Sequence, residues 1–315
     1  MGDACAGRVA LITGASRGGT GTAAAIRLAA EGANVAITAR NSEGLARTRE
    51  EIQSFGGTVL VLPTCDLADP VGGRDGLVGQ VESEFGPIDI LVNNAAINGF
   101  QPFEEWTYAD IQHRLELNLH APWLLMSQVV PGMRDRGRGW VINLTTFCAE
   151  FPPGPPFPTN KPSKMGGAYG ASKAALNRLT LSVASECEGT GVAVNALSPQ
   201  AAIATPDLIA GGWIKGVLFE PIDTMAEAVL ALATCDPQTL TGRIAYSLQL
   251  LAELARPVRD LHGDTLVDGW QPDDLPATIG NQANTLEADF TWPEPFAFRR
   301  HSSPDFVAPT PRRVR

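Results

Sequence analysis

Three observations predict an α/β fold built on a doubly wound parallel sheet. Short runs that are apolar along their whole length alternate with longer helical patterns to about residue 250. A glycine-rich turn follows the first of those runs, and neither an internal repeat nor a linker interrupts the alternation. Strands covered on both faces lose the in–out alternation of a half-exposed strand, and the helices between them supply the crossovers that parallel pairing needs.

Val9–Thr13 reads as the first buried strand and Thr22–Ala30 as an Ala-rich helix ended by Gly32. A strand at Val35–Thr38, a helix at Glu43–Phe55 and a strand at Val59–Leu62 follow. The next helix, Val71–Phe85, is stopped by Gly86-Pro87 before a strand at Ile88–Val92. One long helix is expected over Ala109–Arg136, then a strand at Trp140–Leu144, a helix at Ala168–Glu188 and a strand at Val192–Asn195. Thr224–Thr234 has a helical pattern, and Arg243–Leu250 serves as the last strand.

Two segments break the pattern. Phe151-Pro-Pro-Gly-Pro-Pro-Phe-Pro158, continuing to Pro162, suits neither a helix interior nor a central strand and is expected to be a loop or flap. Beyond Arg256 the chain is rich in Pro, Asp and Trp and ends in a basic tail, Arg299–Arg315. The expected organisation is therefore a single catalytic domain, residues 1–255, with an irregular C-terminal extension, residues 256–315.

Composition narrows the partners. An apolar fraction of 44% is enough for a core, and a net charge of -10 disfavours nucleic acid or an anionic membrane. No apolar run approaches the ~20 residues of a membrane helix, so no membrane partner is expected. Five scattered cysteines without a C-x-x-C pair read as free thiols, and the four histidines show no metal-ligand grouping. The first strand pattern begins within a few residues of Met1, and a cytoplasmic location is the expectation.

Chemistry concentrates at a few places. Thr13-Gly-Ala-Ser-Arg-Gly-Gly-Thr-Gly21 lies between the first strand and the first helix, where glycines let the backbone approach a pyrophosphate at a helix N-terminus. Dinucleotide sites usually place an acidic residue near the end of the second strand, but here the sequence reads Ala39-Arg40. A guanidinium suits a 2′-phosphate that a carboxylate would repel, so Arg40, helped by Arg17, points to NADP(H) in preference to NAD(H). Tyr169 and Lys173 stand four residues apart, on one face of a helix, and an ammonium beside a phenol favours the phenolate.

The chain resembles the short-chain dehydrogenase/reductase family over about Arg8–Ser247, which implies a Rossmann-like sheet. The Thr13–Gly21 loop, with Gly14, Ser16, Arg17, Gly18 and Gly21, is similar to its cofactor loop. Asp66 resembles the adenine-contacting residue, and Asn93-Asn-Ala-Ala96, with Asn94 at its centre, resembles the Asn-Asn-Ala-Gly motif. Asn118, Thr146, Tyr169 and Lys173 fall at the positions of the catalytic tetrad. Asn195-Ala-Leu-Ser-Pro199, followed by Thr205, resembles the segment beside the nicotinamide. The resemblance implies that Tyr169 exchanges a proton with the substrate oxygen, that Lys173 lowers the tyrosine pKa and binds the nicotinamide ribose, and that Asn118 holds a relay water. It also implies a homodimer or homotetramer through the two long helices.

Departures from the family pattern are informative. The glycine loop carries an extra residue, with Thr20 where the last glycine would fall, so Gly21 takes that role. Thr146 replaces a serine, Gln200 replaces the glycine after Pro199, and the Pro-rich segment is an insertion. Phe147, Phe151, Phe157 and Trp213 are expected to make the substrate pocket apolar. The expected activity interconverts a carbonyl and an alcohol on a medium-sized apolar small molecule. A 3-oxoacyl thioester reductase, a hydroxysteroid-type dehydrogenase and a catalytically weak NADP-binding regulatory protein remain alternatives. Replacing Arg40 by Asp is expected to abolish any preference for NADPH over NADH, read as the ratio of the two dissociation constants; an unchanged ratio refutes the role given to Arg40.

Overall fold

The structure, a computed structural model, describes residues 2–69, 74–151, 156–157, 165–203, 205 and 219–270. Seven strands form one parallel sheet: β1 (Val9–Thr13), β2 (Asn34–Thr38), β3 (Thr58–Val61), β4 (Ile90–Asn93), β5 (Gly139–Leu144), β6 (Val192–Ser198) and β9 (Ile244–Tyr246). Their order is β3-β2-β1-β4-β5-β6-β9, so the winding reverses between β1 and β4. Ligands of such sheets bind in the crevice outside the carboxyl ends of the strands at that reversal. A separate parallel pair, β7 (Ala202–Ile203) with β8 (Phe219–Glu220), lies outside the main sheet.

The strands are apolar throughout because both faces are covered. On one side α1 (Thr20–Ala30), α7 (Ile222–Ala233) and α8 (Ser247–Glu253) bury Leu28, Val229 and Leu251 against Ile12, Ile37 and Ile142. The run of alanines in α1 lets that helix approach α7 and the sheet closely, and Ala23, Ala24 and Ala25 are almost wholly buried. On the other side α3 (Leu77–Phe85), α5 (Ala121–Arg136) and α6 (Gly167–Glu186) bury Val81, Met126 and Leu179 against Leu11, Leu91 and Val194. The helix α2 (Ser42–Ser54) is N-capped by Asn41, whose side chain accepts from the Gly44 amide.

Three expectations for the elements need correction. The long helix over Ala109–Arg136 is not continuous. A capping box at Thr107 and Asp110 starts α4 (Tyr108–Leu115), and a π-helical turn, Glu116–His120, separates it from α5. The expected Val71–Phe85 helix begins later: a 3₁₀ turn, Arg74–Gly76, precedes α3, and residues 70–73 lie outside the described ones. The last strand ends at Tyr246, and Ser247–Glu253 is α8, which buries Leu248, Leu250 and Leu251. A run of leucines alone does not distinguish a short buried helix from a buried strand.

Residues just beyond Arg256 still pack on the domain. Val258 is buried in the core, Leu261, Val267 and Trp270 pack against it, and Arg259 forms an antiparallel bridge with Leu266. The basic tail and most of the Pro-rich segment lie outside the described residues. Arg256 also joins an ion network: Arg27 on α1 meets Glu227 on α7 at 3.0 Å and Glu31 at 2.6 Å, while Arg256 meets Glu227 at 2.5 Å. This network lines a cleft of about 580 Å³. Glu227→Ala is expected to destabilise the protein by about 1–3 kcal/mol, because it removes the carboxylate shared by Arg27 and Arg256 and leaves the buried Arg27 with Glu31 alone. Chemical denaturation checks this, and a midpoint equal to wild type contradicts it.

Candidate active site

At the reversal, the end of β1 and the end of β4 are tied together by side chains. Thr13 Oγ1 accepts from the backbone amides of Asn94 and Ala95, each at 3.0 Å. Asn94 Nδ2 donates to the carbonyls of Thr13 at 2.8 Å and Gly14 at 3.1 Å. The Asn94 amide therefore fills the space a side chain would need at two glycines. A β-carbon on Gly14 would fall 2.8 Å from Asn94 Nδ2, and Gly14 also has φ +73°. A β-carbon on Gly21 would collide with the same amide and stand 2.7 Å from the Gly14 carbonyl oxygen. Those contacts explain why glycine recurs at these two positions in a loop that has gained a residue.

The rest of the loop is shaped for an anion. Gly18 has φ +66°, and Gly19 caps α1 without any side chain over the first turn. The positive end of the helix dipole and its unpaired first-turn amides are thus presented to the crevice. Ser16 is buried, its carbonyl pressed against Gly44 of α2, while Arg17 is exposed. Thr205 reaches the same place: its Cγ2 lies 3.7 Å from where a Gly19 β-carbon would stand. A loop with no room for side chains at its base and a bare helix N-terminus at its mouth fits a dinucleotide pyrophosphate.

Arg40 and Asp66 stand farther along the crevice, at the ends of β2 and beyond β3. They are 3.4 Å apart, with side-chain exposures of 55% and 38%. The two residues expected to contact different parts of the cofactor thus share an ion pair, which solvent weakens.

On the other side of the reversal, Thr146 follows β5 and hydrogen-bonds the Tyr169 hydroxyl; it also accepts from the Cys148 amide at 3.2 Å. Tyr169 opens α6, where Gly170 packs so closely on the Cys148 carbonyl that a β-carbon would collide with it. Phe100, on the segment after β4, meets the Tyr169 ring edge to face at 6.1 Å. Asn118 sits in the π turn, fully buried. Its Oδ1 accepts from Ile97 N, and its Nδ2 lies 2.9 Å from Ile97 O and from Ser172 Oγ. The extra residue of the π turn aims Asn118 at the backbone after β4, a common use of such bulges at sites.

Lys173 is buried, and its Nζ donates to the Leu144 carbonyl at 2.6 Å. Burial pushes this amine down to about 7. The expected depression of the tyrosine is not produced here. Burial raises the Tyr169 phenol well above its ordinary value, the nearby Cys148 thiol raises it further, and only the Thr146 hydrogen bond pulls it down. The desolvation that would strengthen an ion pair equally penalises each partner's charge, and Lys173 spends its short contact on a carbonyl.

Pro199 ends β6, and Gln200, where a glycine was expected, is buried, its Oε1 accepting from Gln249 N at 2.9 Å. Of the aromatic residues expected at the pocket, Phe147, Phe151 and Phe157 are 38%, 71% and 56% exposed, and Trp213 lies outside the described residues. Sequence reasoning passed over Phe100, Cys148 and Glu150. Glu150 accepts from the buried Tyr246 hydroxyl at 2.6 Å. Nothing in the spacing of these residues marks them; they reach the site through loops. Among the described residues, no cluster of His, Cys, Asp and Glu could hold a metal, and no helix is long and apolar enough to cross a membrane.

A Rossmann-like sheet with a glycine loop at its reversal, and a Thr–Tyr pair with a buried Lys across the crevice, defines a nicotinamide-dependent dehydrogenase. The family model for short chain dehydrogenase matches residues 8–207, and the chain belongs to the short-chain dehydrogenase/reductase family. It is 36% identical over 265 residues to a short chain dehydrogenase of Pseudocercospora fijiensis, covering 78% of this chain and 82% of that one. It is 32% identical over 247 residues to a fatty acyl-CoA reductase of Mycobacterium tuberculosis, covering 78% and 80%. Among solved structures, L-sorbose reductase from Gluconobacter frateurii, complexed with NADPH and L-sorbose, superposes with a TM-score of 0.68. That match has 29% identity and covers 78% of this chain and 97% of that one. The protein is an NAD(P)-dependent oxidoreductase that acts on small molecules.

The Lys173 amine gives a stability signature. Its value is near 7 in the folded protein and 10.5 ordinarily, so between those limits the unfolded chain binds the extra proton. Without cofactor, this group's contribution to stability therefore grows as pH rises from about 7 to 10.5. Lys173→Met is expected to flatten the denaturation midpoint across that window relative to wild type; an identical pH profile shows that the amine is not buried as described.

Proposed function

We propose that the protein interconverts a carbonyl and an alcohol on a medium-sized apolar substrate, with NADP(H) preferred over NAD(H). The observation that carries this reading is the Thr146–Tyr169 hydrogen bond, one helical turn from Lys173 and across the crevice from the glycine loop. Gly14, Ser16, Arg17, Gly18, Gly21 and Asn94 would hold the dinucleotide, Asp66 its adenine end, and Pro199 and Thr205 its nicotinamide end. Arg40 supports NADP(H) because its guanidinium is half-exposed, held only by a solvent-weakened pair with Asp66, and would suit a 2′-phosphate as a partner. The NADPH bound to L-sorbose reductase points the same way.

A bound nicotinamide would supply or accept the hydride. Tyr169 Oη gives its proton to the substrate oxygen during reduction and takes one during oxidation. A raised phenol pKa keeps that proton in place until the oxygen develops charge. Thr146 Oγ1 orients Tyr169 and can donate to the same oxygen, with its β-branch limiting its rotamers. Lys173 Nζ, pushed to about 7, gains or loses a proton near neutrality and can resupply the tyrosine. Asn118 holds the Ile97 backbone and Ser172, which keeps the segment bearing Phe100 against Tyr169.

Phe100 and the partly exposed Phe147 support an apolar substrate. An acyl thioester is the second reading, favoured by the fatty acyl-CoA reductase of Mycobacterium tuberculosis. Exposed Tyr108 on α4 and Trp123 on α5, with Phe103 in the turn before α4, support a homodimer or homotetramer through those helices and α6. A cytoplasmic location belongs to the same proposal, as does a catalytic domain over residues 1–255 on which the first part of the extension, Val258 to Trp270, packs. Tyr169→Phe is expected to bind NADPH like wild type and to lose at least about a hundredfold in turnover of carbonyl substrates, the usual scale of a proton-transfer group. NADPH fluorescence and absorbance report the two quantities. A Phe variant with full activity rules Tyr169 out, whereas a wild type that binds NADPH and turns over no carbonyl or alcohol favours a regulatory binder.

A further inference from the structure

Outside the catalytic residues, the most unusual group is the carboxyl of Glu220 on β8, which is 0% exposed. Gln200 N donates to its Oε1 at 3.1 Å, and Ser247 Oγ lies 2.9 and 2.8 Å from its two oxygens. The Ala201 amide and the Thr224 hydroxyl, which donates to the Pro221 carbonyl at 2.7 Å, lie beside it. Among the described residues these partners are amides and hydroxyls, not cations, and burial pushes the acid up to about 7. A buried acid held only by neutral donors costs stability, and a leucine of similar size would avoid that cost.

What the carboxyl joins is specific. Gln200 and Ala201 follow Pro199, Ser247 begins α8, and Thr224 lies in the first turn of α7. Gln200 reinforces the knot: Tyr246 gives α8 no side-chain cap, and Gln200 Oε1 takes the Gln249 amide in its place. Beyond the knot, β7 pairs with β8 through Ala202–Phe219 and Ile203–Glu220. Thr205 N then bonds Ile203 O at 2.7 Å, and its methyl reaches the Gly19 end of the glycine loop.

We propose that Glu220 is a positioning residue: its carboxyl anchors Pro199–Ile203, and with it Thr205, over the glycine loop, and so sets how tightly the nicotinamide cofactor is held. The inference rests on the cofactor reading of the loop and of Thr205. It also accounts for Gln200 in place of glycine, because the longer side chain ties the same stretch to α8.

The test measures NADPH binding by fluorescence titration, and melting without cofactor, on the full chain. Glu220→Ala is expected to weaken NADPH about tenfold, the scale of losing a buried hydrogen-bonded group, and Glu220→Gln to recover most of that loss. Thr205→Ala is expected to weaken NADPH in wild type and to add little in the Glu220→Ala background, since the anchored residue is already displaced. A purely structural role predicts lower melting temperatures with additive effects, and that outcome overturns the proposal, as does an unchanged dissociation constant in Glu220→Ala. If Glu220→Ala does not fold, Ser247→Ala removes one donor and is expected to weaken NADPH about threefold; no change there also overturns it. Wild type that binds neither NADPH nor NADH refutes the cofactor reading itself, whereas wild type and Glu220→Ala binding equally refute only the role of Glu220.

Discussion

The tie between Thr13 and Asn94 is the constraint on which the site depends. Two parallel strands that end side by side leave backbone donors and acceptors with no sheet partner, and burial makes each one costly. Here the Thr13 hydroxyl takes two amides from the end of β4, and the Asn94 amide returns to two carbonyls at the end of β1. The exchange satisfies backbone groups at both strand ends with side chains. It also fixes the separation between the glycine loop and the segment leading to Phe100 and Asn118, so cofactor loop and catalytic face are set by one set of bonds. Gly14 and Gly21 follow from it, because the amide occupies the volume their β-carbons would need.

Burial then controls the electrostatics. Tyr169, Lys173 and Glu220 are each shifted toward their neutral forms, with desolvation as the leading cause. A site already stripped of water gives each proton transfer and hydrogen bond more weight than it has in solution. The Lys173 contact with Leu144 shows how the protein keeps an amine there: it supplies a backbone acceptor rather than a counter-charge. Thr146 is the neutral counterpart for Tyr169. Desolvation thus favours these groups as neutral proton donors and acceptors.

Much of this was legible in the chain. The apolar runs identified the strands of the main sheet, because central parallel strands tolerate few polar side chains. Boundaries moved by a few residues, since helix ends depend on caps such as Asn41 and the Thr107–Asp110 box. The break in the expected Ala109–Arg136 helix was not legible. A π turn inserts a residue without changing composition, and its cause, the Asn118 bonds to Ile97, spans 21 positions. The Arg243–Leu250 strand failed at Ser247 for a similar reason. Ser247 is held by Glu220, 27 residues away, and the leucines after it satisfy a helix as well as a strand.

By itself the sequence determined the fold class and which residue types stand at the ends of β1, β4, β5 and β6, because those depend on local hydrophobicity and on spacing along one element. It placed Tyr169 and Lys173 on a common face through helical geometry alone. Only the tertiary structure decided what those groups do to one another. It turned Lys173 toward a carbonyl, raised the phenol instead of lowering it, paired Arg40 with Asp66, and brought Phe100, Cys148 and Glu220 to positions no motif marks. Charge and desolvation depend on everything within a few ångströms, whatever its distance along the chain, and that neighbourhood exists only after the sheet has been wound.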